Sequence, residues 1–166
     1  MTEFANGKVV GSLVTPYGET SADIICSDHN GVSCLFLARH GHPHSLAPHL
    51  VNYRANIWAL QQLGVKQIIA VNAVGGISPQ LPANSLVLPH QIIDYSYGRA
   101  HTFFDGVVMP LQHIDFSHPF TDSLAKHIAE VAREHGVDIQ SSGTYGVTQG
   151  PRLETVAEVR RMARDG

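Results

Sequence analysis

Val32-Ser33-Cys34-Leu35-Phe36-Leu37-Ala38-Arg39-His40-Gly41-His42-Pro43-His44 is the stretch that decides the fold. Its first seven residues are small, apolar or β-branched, the composition of a buried strand. A guanidinium and three imidazoles follow at once. In an open α/β sheet the carboxyl end of a strand is where a ligand is received, and the planar fork of Arg39 suits an anion. A second run, Ile68-Ile69-Ala70-Val71-Asn72-Ala73-Val74-Gly75-Gly76, repeats the plan of strand and turn. Its glycines permit the φ > 0 geometry in which successive backbone N–H groups form an anion nest. Together the two runs point to a phosphate site.

Working outward, residues 9–14 and 22–26 read as strands separated by the turn Pro16-Tyr17-Gly18, and Asn30-Gly31 turns the chain into the strand 32–38. Val51, Ala55, Trp58, Ala59 and Leu63 recur at the helical period, with Gly64 as the stop, so a helix is predicted over 51–63, leading into a strand over 67–72. Further along, 85–94 reads as a strand interrupted by Pro89, 124–135 as an amphipathic helix closed by Gly136, 143–149 as a strand, and 153–163 as a helix after Pro151. This alternation predicts the α/β class, with a mostly parallel or mixed central sheet flanked by helices. No repeat, low-complexity tract or linker interrupts it, and one domain over 1–166 is expected.

Composition narrows the function. A hydrophobic content of 43% against 15% charged residues is that of a globular chain, and 166 residues suffice for a sizeable core. The net charge of −3 and the lack of a Lys/Arg cluster exclude the usual footprint for nucleic acid or an anionic membrane. No stretch has the length of a membrane span and the first residues do not read as a signal peptide, so a cytoplasmic protein is expected. Cys26 and Cys34 each lie in an apolar run and read as reduced core residues rather than a disulfide or metal pair.

Residues 95–120 show little periodicity but carry Arg99, His101, Phe103, Phe104, His113, Asp115, Phe116 and His118. A long irregular connection in a compact domain is usually a binding loop or an oligomer contact, with a packed surface loop as the plain alternative.

Several motifs in order, Ala38-Arg39-His40-Gly41, Val51-Asn52-Tyr53-Arg54-Ala55-Asn56-Ile57-Trp58-Ala59-Leu60, Asn72-Ala73-Val74-Gly75-Gly76, His113-Ile114-Asp115 and Gly150-Pro151-Arg152-Leu153-Glu154-Thr155, resemble the purine nucleoside phosphorylase and methylthioadenosine phosphorylase family, and within it the bacterial S-methyl-5′-thioinosine phosphorylases. The resemblance runs from about Thr15 to the last residue. It implies reversible phosphorolysis, in which inorganic phosphate attacks the anomeric carbon of a purine nucleoside and releases the base and a pentose 1-phosphate. Inorganic phosphate would be a co-substrate, with no other cofactor and no metal. S-methyl-5′-thioinosine is the expected substrate, with methylthioadenosine, inosine or guanosine as alternatives.

The resemblance also implies roles. Arg39 and His40 would contact phosphate, and Asn72 and Ala73 would add donors to phosphate and ribose; a structural ion pair at a strand end is the alternative for Arg39. Glu154 would recognise the base, because a carboxylate only accepts hydrogen bonds and so complements the N1–H of a 6-oxopurine, not the bare N1 of adenine. Its alternative is an interaction with the positive end of the following helix. His113 would reach a neighbouring subunit and cover the 5′ group, which implies a homotrimer, or a hexamer, with shared sites.

Two parts of the family pattern are not found: a first strand with a Gly-rich loop ahead of Thr15, and, beyond Gly166, the residue that assists protonation of the purine N7. Without that acid a factor of about 10²–10⁴ in rate is forfeited. The resemblance therefore implies a chain truncated at both ends, with weak or no turnover. A noncatalytic phosphate- or nucleoside-binding module is the second reading. A metal hydrolase built on His40, His42, His44 and His49 is the third; a His-x-His pair is a loose signal for it.

Overall fold

The computed structural model describes residues 7–166. Of the segment 1–14, expected to lack a Gly-rich loop, residues 1–6 lie outside the described residues. The chain divides into two compact units, one holding the chain up to Ala70 together with Gly98–Gln112, the other Val71–Tyr97 together with His113–Gly166.

The first unit is built on β1 (Lys8–Gly11), β2 (Val14–Thr15), β3 (Gly18–Glu19), β4 (Ile24–His29), β5 (Val32–Leu37) and α1 (Tyr53–Gln62). Strands β1, β4 and β5 form an antiparallel sheet in that order, and β2 pairs with β3. The expected strand 9–14 is therefore two strands, with an irregularity between Val9 and Gly11. Pro16 and Tyr17 turn the small β2–β3 hairpin instead of separating the long strands. The second expected turn is found where it was read: Asn30 and Gly31 have φ of 55° and 82°, the paired positive values of a two-residue hairpin whose twist matches its strands. The Asp28 carboxylate accepts the Gly31 N–H at 2.9 Å. Register follows from this turn, setting Cys26 opposite Leu35 and Ser27 opposite Cys34. Opposed residues share a face and neighbours alternate, so the two thiols project from opposite faces of the sheet and cannot bridge; both are free.

Helix α1 begins where Asn52 accepts the Ala55 N–H at 3.1 Å and ends before Gly64, whose φ of +81° only glycine adopts cheaply. Ala55 and Ala59, one turn apart, are completely buried, and Leu60 nearly so. With Ile24 of β4, also completely buried, they form the core, on which Leu13, Leu35, Leu37 and Val65 pack. Small alanines let the helix backbone approach the sheet, and burying Ile24 contributes about 2–3 kcal/mol. Leu63 of the predicted apolar face is instead exposed, because it lies at the cap, where the helical stripe has ended.

The second unit contains β6 (Gln91–Asp94), α2 (Asp122–Glu134), β7 (Thr144–Val147) and α3 (Val156–Asp165). Strands β6 and β7 are parallel, in register from Gln91↔Thr144 to Asp94↔Val147, and a parallel bridge pairs Val87 with Gln140. The class is thus α/β with mixed sheets, parallel pairing being found in this unit and antiparallel pairing in the first. Pro89, which has no N–H to give, separates the Val87 bridge from β6 and shortens the strand expected over 85–94. Residues 67–72, expected to be a strand, belong to no assigned element. β-Branched composition makes a strand only where a ladder forms, and the second unit's ladder falls on 87–94 and 140–147, not on 67–72, which straddles the two units; Ile69 and Val71 are largely exposed. Among the described residues no helix is long and apolar enough to cross a membrane.

Candidate functional site

Arg39 and His40 follow directly on β5, where the sheet ends and the chain must turn. The turn is fastened by its own backbone: Ser45 and Leu46 both donate N–H to the His40 carbonyl at 2.8 Å, and Gly41 donates to Ala38 at 2.9 Å. Gly41 has a φ of +77°, which other residues adopt only with strain, and a Cβ there would also press on the Ser45 hydroxyl. The His40 ring is fixed twice. Its Nδ1 lies 3.0 Å from the Leu46 carbonyl, which obliges Nδ1 to carry the proton and leaves Nε2 as the other ring nitrogen. Its face stacks on His44, centroids 4.7 Å apart and planes 9° from parallel. Both Arg39 and His40 are half-buried, an environment that strengthens contacts with an anion without sealing it from solvent.

Stacked rings present faces to each other rather than converging nitrogens. Among the described residues no group of three His, Cys, Asp or Glu is placed to hold a metal ion.

Glu154 lies in the second unit, six residues past Thr148, which follows β7. The Thr148 hydroxyl, then the backbone N–H of Glu154 itself, hold its carboxyl below the usual carboxylate range. Glu154 is therefore ionised at neutral pH and purely an acceptor. It stands at the carboxyl end of a parallel strand pair, where open α/β sheets receive ligands. It is not the carboxylate that caps the next helix. That task falls to Glu158, which accepts the Thr155 N–H at 2.7 Å while Thr155 Oγ1 accepts the Glu158 N–H at 3.2 Å, the reciprocal capping box. The box starts α3 at Val156, three residues later than the helix expected over 153–163. Thr155-x-x-Glu158 was present in the sequence as the signal for it.

Asn72 and Ala73 are exposed members of the second unit. The glycines after them differ from expectation: neither Gly75 nor Gly76 has a positive φ. Gly76 is required for space, since a Cβ would lie 2.5 Å from the Leu81 carbonyl oxygen. His113 is exposed in the second unit, two residues before Asp115, whose carboxylate accepts both the N–H and the hydroxyl of Ser117 at 2.9 and 2.7 Å. Arg39 and His40 thus share one unit, and Asn72, Ala73, His113 and Glu154 the other. Sequence reasoning missed Thr148 as the partner of Glu154; His44, read from the sequence as a supporting or rim residue, stacks on His40.

Comparison with known proteins extends these observations. A family model described as the Phosphorylase superfamily matches residues 11–166. A probable S-methyl-5′-thioinosine phosphorylase of Pseudomonas syringae pv. tomato is 51% identical over 152 residues, a match covering 92% of this chain and 62% of the relative. A 6-oxopurine nucleoside phosphorylase of Pyrococcus furiosus is 42% identical over 161 residues, covering 94% and 60%. The methylthioadenosine phosphorylase of Schistosoma mansoni in complex with tubercidin superposes with a TM-score of 0.90 at 28% identity, covering 98% of this chain and 65% of that one. The chain spans about three fifths of the length of the curated relatives it matches.

Proposed function

The chain belongs to the Phosphorylase superfamily, and from that premise we propose that it serves the phosphate-dependent cleavage of S-methyl-5′-thioinosine to hypoxanthine and 5-methylthioribose 1-phosphate, a step of purine and methylthioadenosine salvage. A phosphate oxygen bonds to the anomeric carbon as the bond from that carbon to the purine N9 breaks. The base leaves with the electron pair and takes a proton. Inorganic phosphate is the co-substrate, and the reaction calls for no metal or other cofactor.

Arg39, His40, Asn72 and Ala73 are the proposed phosphate ligands. The contact of His40 Nδ1 with the Leu46 carbonyl fixes the ring, which leaves Nε2 as the ring nitrogen for a ligand. His113 is the proposed cover of the 5′ group in a neighbouring subunit. A homotrimer and a cytoplasmic location go with this reading.

The observation that carries the reading is Glu154: an ionised acceptor beside the end of β7, released from capping duty by Glu158. Its chemistry fits the N1–H of a 6-oxopurine. The test is release of hypoxanthine from S-methyl-5′-thioinosine by the purified protein, with and without phosphate, read beside calorimetric binding of phosphate to the Arg39→Ala variant. Release that requires phosphate, however slow its turnover, together with loss of phosphate binding in the variant is expected. Release that ignores phosphate, or phosphate binding unchanged by the substitution, overturns the assignment.

A further inference from the structure

Residues 98–112 pack with the first unit although the sequence on either side belongs to the second, and two consecutive residues of α1 hold them. Arg54 donates through one terminal nitrogen to the Asp105 carboxylate at 2.7 Å and to the Thr102 carbonyl at 3.3 Å, while its guanidinium lies over the Tyr17 ring, 4.8 Å from the centroid. From the held segment Phe103 meets the same ring edge-on at 5.3 Å. Tyr53 completes the clasp in the opposite sense, accepting a hydrogen bond from Arg99 at 3.0 Å under a guanidinium 5.3 Å from its ring.

The clasp is poorly explained by stability alone. Arg54 Nε and the Tyr17 hydroxyl are buried and make no hydrogen bond. Each such atom carries a desolvation cost that an apolar pair of similar volume would avoid. Buried polar groups retained at such a cost mark a demand for a defined geometry. Here the geometry fixed is that of the segment whose sequence runs on to His113.

We propose that Arg54 is a positioning residue of the nucleoside site: by gripping Asp105 and Thr102 against Tyr17 it sets residues 99–107, and through them the segment that supplies the cover of the nucleoside's 5′ group. The proposal rests on the reading of His113 given above. Arg54 itself touches no substrate and acts on nucleoside affinity, leaving phosphate affinity alone.

The test compares the wild-type protein with Arg54→Ala, Arg54→Lys and Asp105→Asn. Hydrogen exchange is read at residues 99–107, and calorimetry measures S-methyl-5′-thioinosine and inorganic phosphate separately. In Arg54→Ala the exchange is expected to rise about tenfold or more, since opening of a local segment sets its rate. Nucleoside affinity should fall by a similar factor with phosphate affinity unchanged, and Arg54→Lys should recover part of both losses. Asp105→Asn, which leaves α1 intact, carries the same test if Arg54→Ala does not fold. Unchanged exchange overturns the clasp. Faster exchange with unchanged nucleoside affinity, or an equal loss of phosphate affinity, overturns the positioning role. A wild-type protein that binds no nucleoside overturns that role and the reading of His113 together, while the exchange data still decide whether the clasp exists.

Discussion

Arg152 holds Glu158 through both terminal nitrogens, at 2.9 and 2.7 Å. The same carboxylate accepts the Thr155 N–H, so one side chain closes the capping box and carries an ion pair. Pairing with Arg152, followed by the Thr155 amide, depresses the Glu158 pKa from 4.5 to about 2. Glu154 takes no part in that box, which leaves its carboxylate to Thr148.

A pH dependence follows with a definite sign. In the unfolded chain Glu158 takes up its proton near 4.5, whereas the folded state resists protonation until about 2. The unfolded state therefore binds more protons across that window, and the stabilisation, complete above 4.5, is lost as pH falls toward 2. Thermal unfolding of the wild type and Glu158→Gln should differ above pH 4.5, with the wild type higher, and the difference should shrink as pH falls through the window. A difference that stays constant from neutral pH to pH 2 would contradict the assignment of the shift to this carboxylate.

Asn56 is a second test, of packing. It is buried at 5% exposure on α1, accepts the Ser21 N–H at 2.8 Å and donates to the Ser21 hydroxyl at 2.9 Å. Asn56→Ala strands that N–H and should cost about 1–3 kcal/mol, measured as a lower midpoint in urea. Asn56→Asp, which keeps the acceptor but not the donor, should also be destabilising, because it adds a buried charge. Little change in either variant would mean that the 15–21 segment is held by other contacts.

How much of this was legible follows from where the forces act. The Asn30-Gly31 hairpin, the Gly64 and Gly136 helix stops and the apolar run of β5 were readable because local chemistry dictates them. The strand expected at 67–72 was not, since its composition is right but a ladder is a property of two segments. For the same reason the parallel pairing found in the second unit could not be read from alternation alone. Arg39, His40 and Glu154 could be picked out by position after strands and by resemblance. The Thr148 bond to Glu154, the stacking of His44 on His40 and the Arg54 clasp could not, because each depends on a loop conformation, a ring orientation or a partner distant in sequence that no periodicity encodes.

Gly31 separates backbone from packing. A Cβ at this residue would meet nothing within 4 Å, yet its φ is +82°. Gly31→Ala should therefore cost about 1–2 kcal/mol through left-handed backbone strain alone, seen as a lower unfolding midpoint with unchanged ligand affinity. Asn30→Gly, relieving a second positive φ of 55°, should be close to neutral, because the folded-state relief is offset by the entropy glycine adds to the unfolded chain. Loss of ligand affinity in Gly31→Ala would mean that the hairpin reaches the site.

Glu154 carries the sharpest prediction about chemistry. Its carboxylate is held ionised by Thr148; in the proposed reading it accepts from the N1–H of hypoxanthine and repels the lone pair on N1 of adenine. Glu154→Gln keeps an acceptor, loses the charge and gains an N–H₂ that can donate to adenine. A hydrogen bond to a charged group is worth about 1.5–3 kcal/mol, so hypoxanthine affinity should fall roughly 10- to 100-fold. Adenine affinity should hold or rise, and the ratio of the two, measured by calorimetry at fixed phosphate, is the readout because it does not depend on turnover. A ratio unchanged by the substitution would leave the Thr148 bond as the only role for this carboxylate and remove it from base recognition.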